Sequence, residues 1–178
     1  MAASGLVVEF KVAADPQNAE WLRDLGASCD RLRDVQGAQG DTAGARASLE
    51  QGLNASRALA TKDPQTPAWQ HDLSVCLETL GDLQQAQQDL AGARASFEQA
   101  LQVRRQLAEA HPDHLDWARH LCVAWDKLRN TQMALGDLAD ARISLEQGLR
   151  VRRKLAASDP GDPAWQYDLT VSLDKLGD

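Results

Sequence analysis

The sequence predicts an all-α solenoid of stacked antiparallel helical hairpins, and three observations carry that prediction. The first is a strict internal repeat. Trp21, Trp69, Trp117 and Trp165 recur every 48 residues, as do Asp15-Pro16, Asp63-Pro64, His111-Pro112 and Asp159-Pro160. Ala45-Arg46, Ala93-Arg94 and Ala141-Arg142 keep the same register. Roughly half the positions of the first two full units are identical without an insertion, the mark of units that stack on their neighbours. The second observation is punctuation: all six prolines (Pro16, Pro64, Pro67, Pro112, Pro160 and Pro163) fall at the repeat boundary. The third is composition. A hydrophobic content of 43% rests on Ala and Leu with only two Phe and one Tyr, and β-branched runs are absent, which favours close helix contacts over sheets.

Taken in order, residues 1–14 read as a partial second-type helix or N-terminal cap, with Leu6, Val7, Val8, Phe10 and Val12 as its apolar side. Residues 15–62, 63–110 and 111–158 are three full repeats, and 159–178 is a partial fourth with a first helix only, all in one solenoid domain. In the second repeat, Asp63 to Pro67 is a turn; Thr66 suits an N-cap and Pro67 the first helical position. Trp69, Leu73, Leu77, Leu80 and Gln84 then form one helical stripe. Asp89 opens a second helix whose buried face is Leu90, Ala93, Phe97, Ala100, Leu101, Arg104 and Leu107, with Arg104 snorkelling at the edge. Gly40-Asp41 and Gly136-Asp137 mark the same break elsewhere, Gly ending one helix and Asp starting the next. Each helix is about 20 residues, about 30 Å long. The last, over about 163–177, exposes Leu169, Leu173 and Leu176 to no following helix.

The hairpin core resembles the tetratricopeptide repeat, whose pattern is W-x2-L-G-x2-Y…A-x3-F…P. The second repeat offers Leu77-x2-Leu80-Gly81-x2-Gln84, then Ala93-x3-Phe97 and Ala100. The third offers Trp125-x2-Leu128 and Ala141-x3-Leu145, the first Cys29-x2-Leu32 and Ala45-x3-Leu49. The resemblance covers everything after residue 14. It departs in its period, in its postponed prolines and in Arg33 and Arg129 where Gly81 stands; both helices read as lengthened by about two turns, as in bacterial long-repeat variants of the family. The resemblance implies a right-handed superhelix whose concave surface is lined by the first helices.

Carried over by motif position, that surface is Arg23, Ala27, Asp30, Asp34 and Gly37 in the first repeat, and His71, Val75, Glu78, Asp82 and Gln85 in the second. Arg119, Val123, Asp126, Asn130 and Met133 follow, then Tyr167, Val171, Asp174 and Asp178. Steps of three and four place each set on one stripe, offset from the Trp/Leu stripe. Acids recur at Asp30, Glu78, Asp126 and Asp174, which suits a basic peptide or helix, although charge on an exposed face is also the ordinary solvated state. The Lys and Asn clamp for a C-terminal carboxylate found in some family members is missing.

The formal charge of −7 disfavours nucleic acid and anionic membrane surfaces. It is uneven: residues 63–110 carry −4 and residues 111–158 carry +2. Arg104-Arg105 and Arg150, Arg152, Arg153 and Lys154 read as a solvated basic face on second helices. Cys29, Cys76 and Cys122 occupy three different repeat positions, so they read as reduced, buried thiols rather than a disulfide framework. The start is a poor secretory signal and no stretch is long enough to span a bilayer, which points to a cytoplasmic protein. The tryptophans sit one turn before stripe leucines and are expected to be buried between hairpins. His111, His114 and His120 cluster with Asp113 and Asp116, but the group straddles a turn and lacks ligand spacing, so no metal is expected. No phosphate loop, nucleophile elbow or paired-carboxylate motif occurs, so neither catalysis nor a cofactor is expected.

The function expected is a non-enzymatic protein–protein interaction scaffold holding a partner peptide or helix on its concave face. The alternatives are a self-assembly module forming homo-oligomers through uncapped ends, and the sensor arm of a larger bacterial signalling protein.

Overall fold

The computed structural model describes residue 12, residues 15–158 and residues 160–177; the apolar positions Leu6, Val7, Val8 and Phe10 of the first segment lie outside them. Among the described residues there are seven helices and no strand: α1 (Ala19–Ala38), α2 (Thr42–Lys62), α3 (Pro67–Ala86), α4 (Leu90–Ala110), α5 (Leu115–Leu135), α6 (Leu138–Ser158) and α7 (Pro163–Gly177). The fold is all-α, with consecutive helices packed in pairs, the construction of a helical repeat solenoid.

Local chemistry sets the helix ends. The Asp41 and Asp89 carboxylates accept from the N–H groups of Gly44 and Gly92, each at 2.9 Å, and so cap α2 and α4. A Cβ at these two glycines would lie 2.1 Å and 2.2 Å from the second oxygen of the capping carboxylate, so a side chain there would have to shift the cap. In the third repeat Asp140 stands at that position, and Asp137 turns to a different partner. Arg94 on α4 donates to Asp137 at 2.7 Å and to Asp140 at 3.0 Å, joining α4 to the start of α6.

The turns between first and second helices use a left-handed residue at Gly40 (φ +76°) and Gly136 (φ +82°). Gln88 occupies that conformation in the second repeat, at φ +64°. At the other kind of turn, Asp63 accepts from the Gln65 N–H at 3.0 Å and the Thr66 hydroxyl at 2.6 Å. Thr66 therefore turns its hydroxyl back to Asp63. That hydroxyl first, then the Gln65 N–H, holds the Asp63 carboxyl below its ordinary pKa.

The chain falls into two compact units, Met1–Leu83 and Gln84–Asp178, so the division lies inside α3. In the first unit α1 packs on α2 around Leu22, Leu25, Cys29, Ala55 and Leu59, with Val12, Ala58 and Trp69 against them. Gly52 permits the approach: its missing Cβ would sit 3.3 Å from that of Cys29. In the second unit α4 packs on α5, α5 on α6 and α6 on α7. Its core is Ala93, Phe97, Leu101, Leu121, Ala124 and Leu128, with Trp125 and Val151 alongside. Each buried leucine of these cores contributes about 1.5–3 kcal/mol relative to exposure.

One polar contact recurs near the closed end of the hairpins. Ser48 donates to Gln36 at 2.7 Å, Ser96 to Gln84 at 2.6 Å and Ser144 to Gln132 at 2.7 Å. A serine is small enough for the buried seam, and the glutamine satisfies a hydroxyl that would otherwise be buried at a cost.

Two expectations about burial need correction. The five tryptophans are half-buried rather than enclosed. Trp21, Trp69, Trp117 and Trp165 stand in the first turn of a helix and Trp125 in the middle of α5, and each keeps part of its surface in solvent. Arg104 is only 5% exposed, not at the edge, because it shares the small-residue stripe of α4 with Ala93, Ala100 and Leu107.

Candidate functional site

The first-helix stripes are treated unit by unit. In the first unit α1 presents Arg23, Asp30 and Asp34 to solvent. Arg33 reaches along the helix to Asp30 and to Asp34, each at 3.0 Å, so this surface is a mixed-charge ladder. On α3, Val75 is 40% exposed, Asp82 is exposed and His71 is half-buried. Glu78 is different: it is buried, at 9% exposure.

In the second unit the same stripe is more apolar. Val123 and Met133 of α5 are 42% and 52% exposed, and Tyr167 of α7 is 69% exposed. Their helix neighbours Leu121 and Leu128 are buried, so one face of α5 is committed to the core and the other is not. Arg119 of α5 lies 5.8 Å over the Trp165 ring of α7, a cation–π contact. Asn130 accepts from Arg129 at 2.7 Å, and Gln85 accepts from Thr131 at 3.4 Å. The side chains of Asp174 and Asp178 lie outside the described residues.

Asp126 does not stand free on this stripe. Its carboxylate accepts a charge-assisted hydrogen bond from Arg152 of α6. Arg152 is only 8% exposed and so leaves the basic face to which its neighbours Arg150, Arg153 and Lys154 belong. Spacing held the signal: Ala141, Leu145, Leu149, Arg152 and Ala156 step by four, four, three and four, the buried stripe of α6. A long charged residue on such a stripe needs a carboxylate across the seam.

The remaining chemistry-bearing groups are structural. All three cysteines are free thiols and buried. Burial pushes the Cys122 thiol up to about 12, against a smaller opposing pull from Arg152. Cys76 is raised for the same reason, partly offset by Ser56. Protonated, enclosed thiols are poor nucleophiles. His114 stacks on Trp117 with ring centroids 5.0 Å apart, and His120 lies 5.7 Å from the same ring, so these histidines support an indole. Among the described residues no group of three or more His, Cys, Asp or Glu side chains is placed to share a metal ion, and no helix is long and apolar enough to cross a membrane.

With this geometry in place, comparison with known proteins adds a family match. Residues 73–116 fit the family model of the tetratricopeptide repeat, from mid-α3 into the start of α5. No curated protein matches the chain. Tetratricopeptide repeats generally mediate protein–protein interaction and are typically non-enzymatic scaffolds.

Proposed function

We propose that this tetratricopeptide-repeat protein is a non-enzymatic scaffold that binds a partner peptide or helix on the faces of its first helices. The observation that carries the reading is the split character of α5. Leu121 and Leu128 are buried, whereas Val123 and Met133 stay exposed on the adjoining stripe. Tyr167 of α7 adds a large exposed ring to that unit's surface. Apolar side chains left outside a regular helix gain about 25 cal/mol per Å2 when a partner covers them.

On the first unit, the acids of the first helices favour a basic partner segment. Asp30, Asp34 and Asp82 are the accessible carboxylates; Glu78 is buried and Asp126 is engaged by Arg152. Charges of this exposed kind act mainly on encounter rate and salt dependence, while the apolar positions supply affinity. The test compares wild type with two variants in affinity purification: Val123→Asp with Met133→Asp, and Asp30→Lys with Asp82→Lys. The first is expected to lose the partner, the second to retain less of it and to lose its salt dependence. Unchanged recovery in both variants would sink the reading.

A second reading is self-association through α7, favoured by Leu173, which is 41% exposed. A light-scattering mass that stays monomeric as concentration rises removes it.

A further inference from the structure

Glutamine recurs at one position near the start of the first helix, as Gln70 and Gln166, and does the same job twice. Gln70 Nε2 donates to the Ala60 carbonyl at 3.0 Å, and Gln166 Nε2 donates to the Ala156 carbonyl at 3.4 Å. Both carbonyls stand four residues before a proline, Pro64 and Pro160, so the helix itself has no N–H to offer them. The intervening repeat keeps the carbonyl, of Ala108, and the proline, Pro112, but has Ala118 where the glutamine belongs. A methyl group neither donates nor fills the space. Ala108 and Ala118 both line an open cleft of about 610 Å3 among α4, α5 and α6.

Four further differences from the second repeat meet in the same cleft. Trp125 replaces Leu77, Ile143 replaces Ala95, Arg150 replaces Gln102 and Lys154 replaces Gln106. Ile143 is 54% exposed, and Trp125, which packs against the core, is only half-buried, so both leave apolar surface uncovered at the cleft. Arg150 and Lys154 stand one turn apart on α6 and make no ion pair among the described residues; Arg105, also at the cleft, has Glu109 at 4.0 Å. The missing glutamine side chain leaves room here, Trp125 and Ile143 make the wall more apolar, and Arg150 and Lys154 bring positive charge to the rim.

We propose that this cleft binds an acidic amphipathic segment of a partner protein. Apolar side chains of the segment enter between Trp125 and Ile143, and its carboxylates meet Arg150 and Lys154. The Ala108 carbonyl, given no donor by Pro112 or Ala118, accepts an amide N–H of the segment. That acceptor favours a peptide over a simple fatty acid, which brings a carboxylate and a tail but no donor. The site is separate from the first-helix faces and has the opposite charge preference, so it does not depend on their role.

The test uses the full chain and a fluorescein-labelled helical peptide with leucines at i, i+3, i+4 and i+7 and glutamates elsewhere, followed by anisotropy. Saturable binding is expected, weakened about tenfold by Arg150→Glu with Lys154→Glu, equivalent to ~1.4 kcal/mol. Ala118→Gln is expected to abolish binding while keeping or raising Tm, since it restores the bond that Gln70 and Gln166 make. The same peptide with lysines for glutamates is expected not to bind. Three results would each overturn the proposal: no saturation with wild type, unchanged binding by Ala118→Gln, or equal binding of the lysine peptide. Binding of dodecanoate without binding of the peptide would overturn it too, assigning the cleft to a small amphiphilic acid.

Discussion

Arg152 and Asp126 form an ion pair across the α5–α6 seam, with the arginine 9% and the aspartate 31% exposed by side chain. Two more Arg152 nitrogens, Nε and Nη1, are buried with no hydrogen-bond partner. The pair therefore carries a real desolvation cost, and its value lies in not being broken.

Removal of the acid alone leaves that guanidinium buried and uncompensated. Asp126→Ala should cost about 3 kcal/mol, at the low end for buried pairs because the carboxylate is partly wet. Arg152→Met, which removes the charge and keeps much of the volume, should cost less. Urea unfolding of the two variants measures the difference; equal losses would mean that the pair contributes no more than packing.

Gln88 holds a left-handed conformation, at φ +64°, where Gly40 and Gly136 stand in the other hairpins. Gln88→Gly should stabilise the protein by about 0.5–1 kcal/mol, since relief of the Cβ clash exceeds glycine's extra entropy cost. A rise in thermal midpoint, with an unchanged circular dichroism spectrum, is the expected readout.

The capping aspartates impose the reverse constraint at Gly92. A methyl group there would meet the Asp89 carboxylate oxygen at 2.2 Å and displace the cap. Gly92→Ala should therefore lose about 1 kcal/mol, the worth of an N-cap, despite alanine's better helix propensity. A stabilised variant in denaturant titration would contradict the capping role.

Burial raises the Cys122 pKa from 9.0 to about 12. The folded state thus holds its proton where the unfolded chain releases it. This contribution to stability is complete below the unfolded value of 9.0 and is lost as pH rises toward about 12. Cys122→Ser or Cys122→Ala should flatten that alkaline decline in an unfolding series. Native-state alkylation by iodoacetamide should be slow at Cys122 until denaturant is added.

Much of this architecture is written locally. Helix starts follow from Asp41 and Asp89, turns from Gly40 and Gly136, and the final helix begins at Pro163 as its residues predict. The buried stripes through Leu49, Phe97 and Leu145 were equally legible, because helical period alone decides which side chains share a face. The three thiols are free and buried, as their non-recurring repeat positions predict.

Depth was not legible. Motif position places Glu78 on the open stripe, yet it is buried; the run of basic neighbours masks Arg152, which its spacing puts on the buried side; and the tryptophans expected in the core are only half-buried. Nor does any single helix announce the hollow beside Ala118, which exists only where α4, α5 and α6 come together around a missing glutamine side chain. The sequence by itself determined where helices begin, end and turn an apolar side, since those are short-range matters of caps, dihedrals and spacing. How far each side chain sinks, which charges must find a partner and where space is left over were decided by tertiary structure alone, because they depend on the shape of the neighbour that arrives.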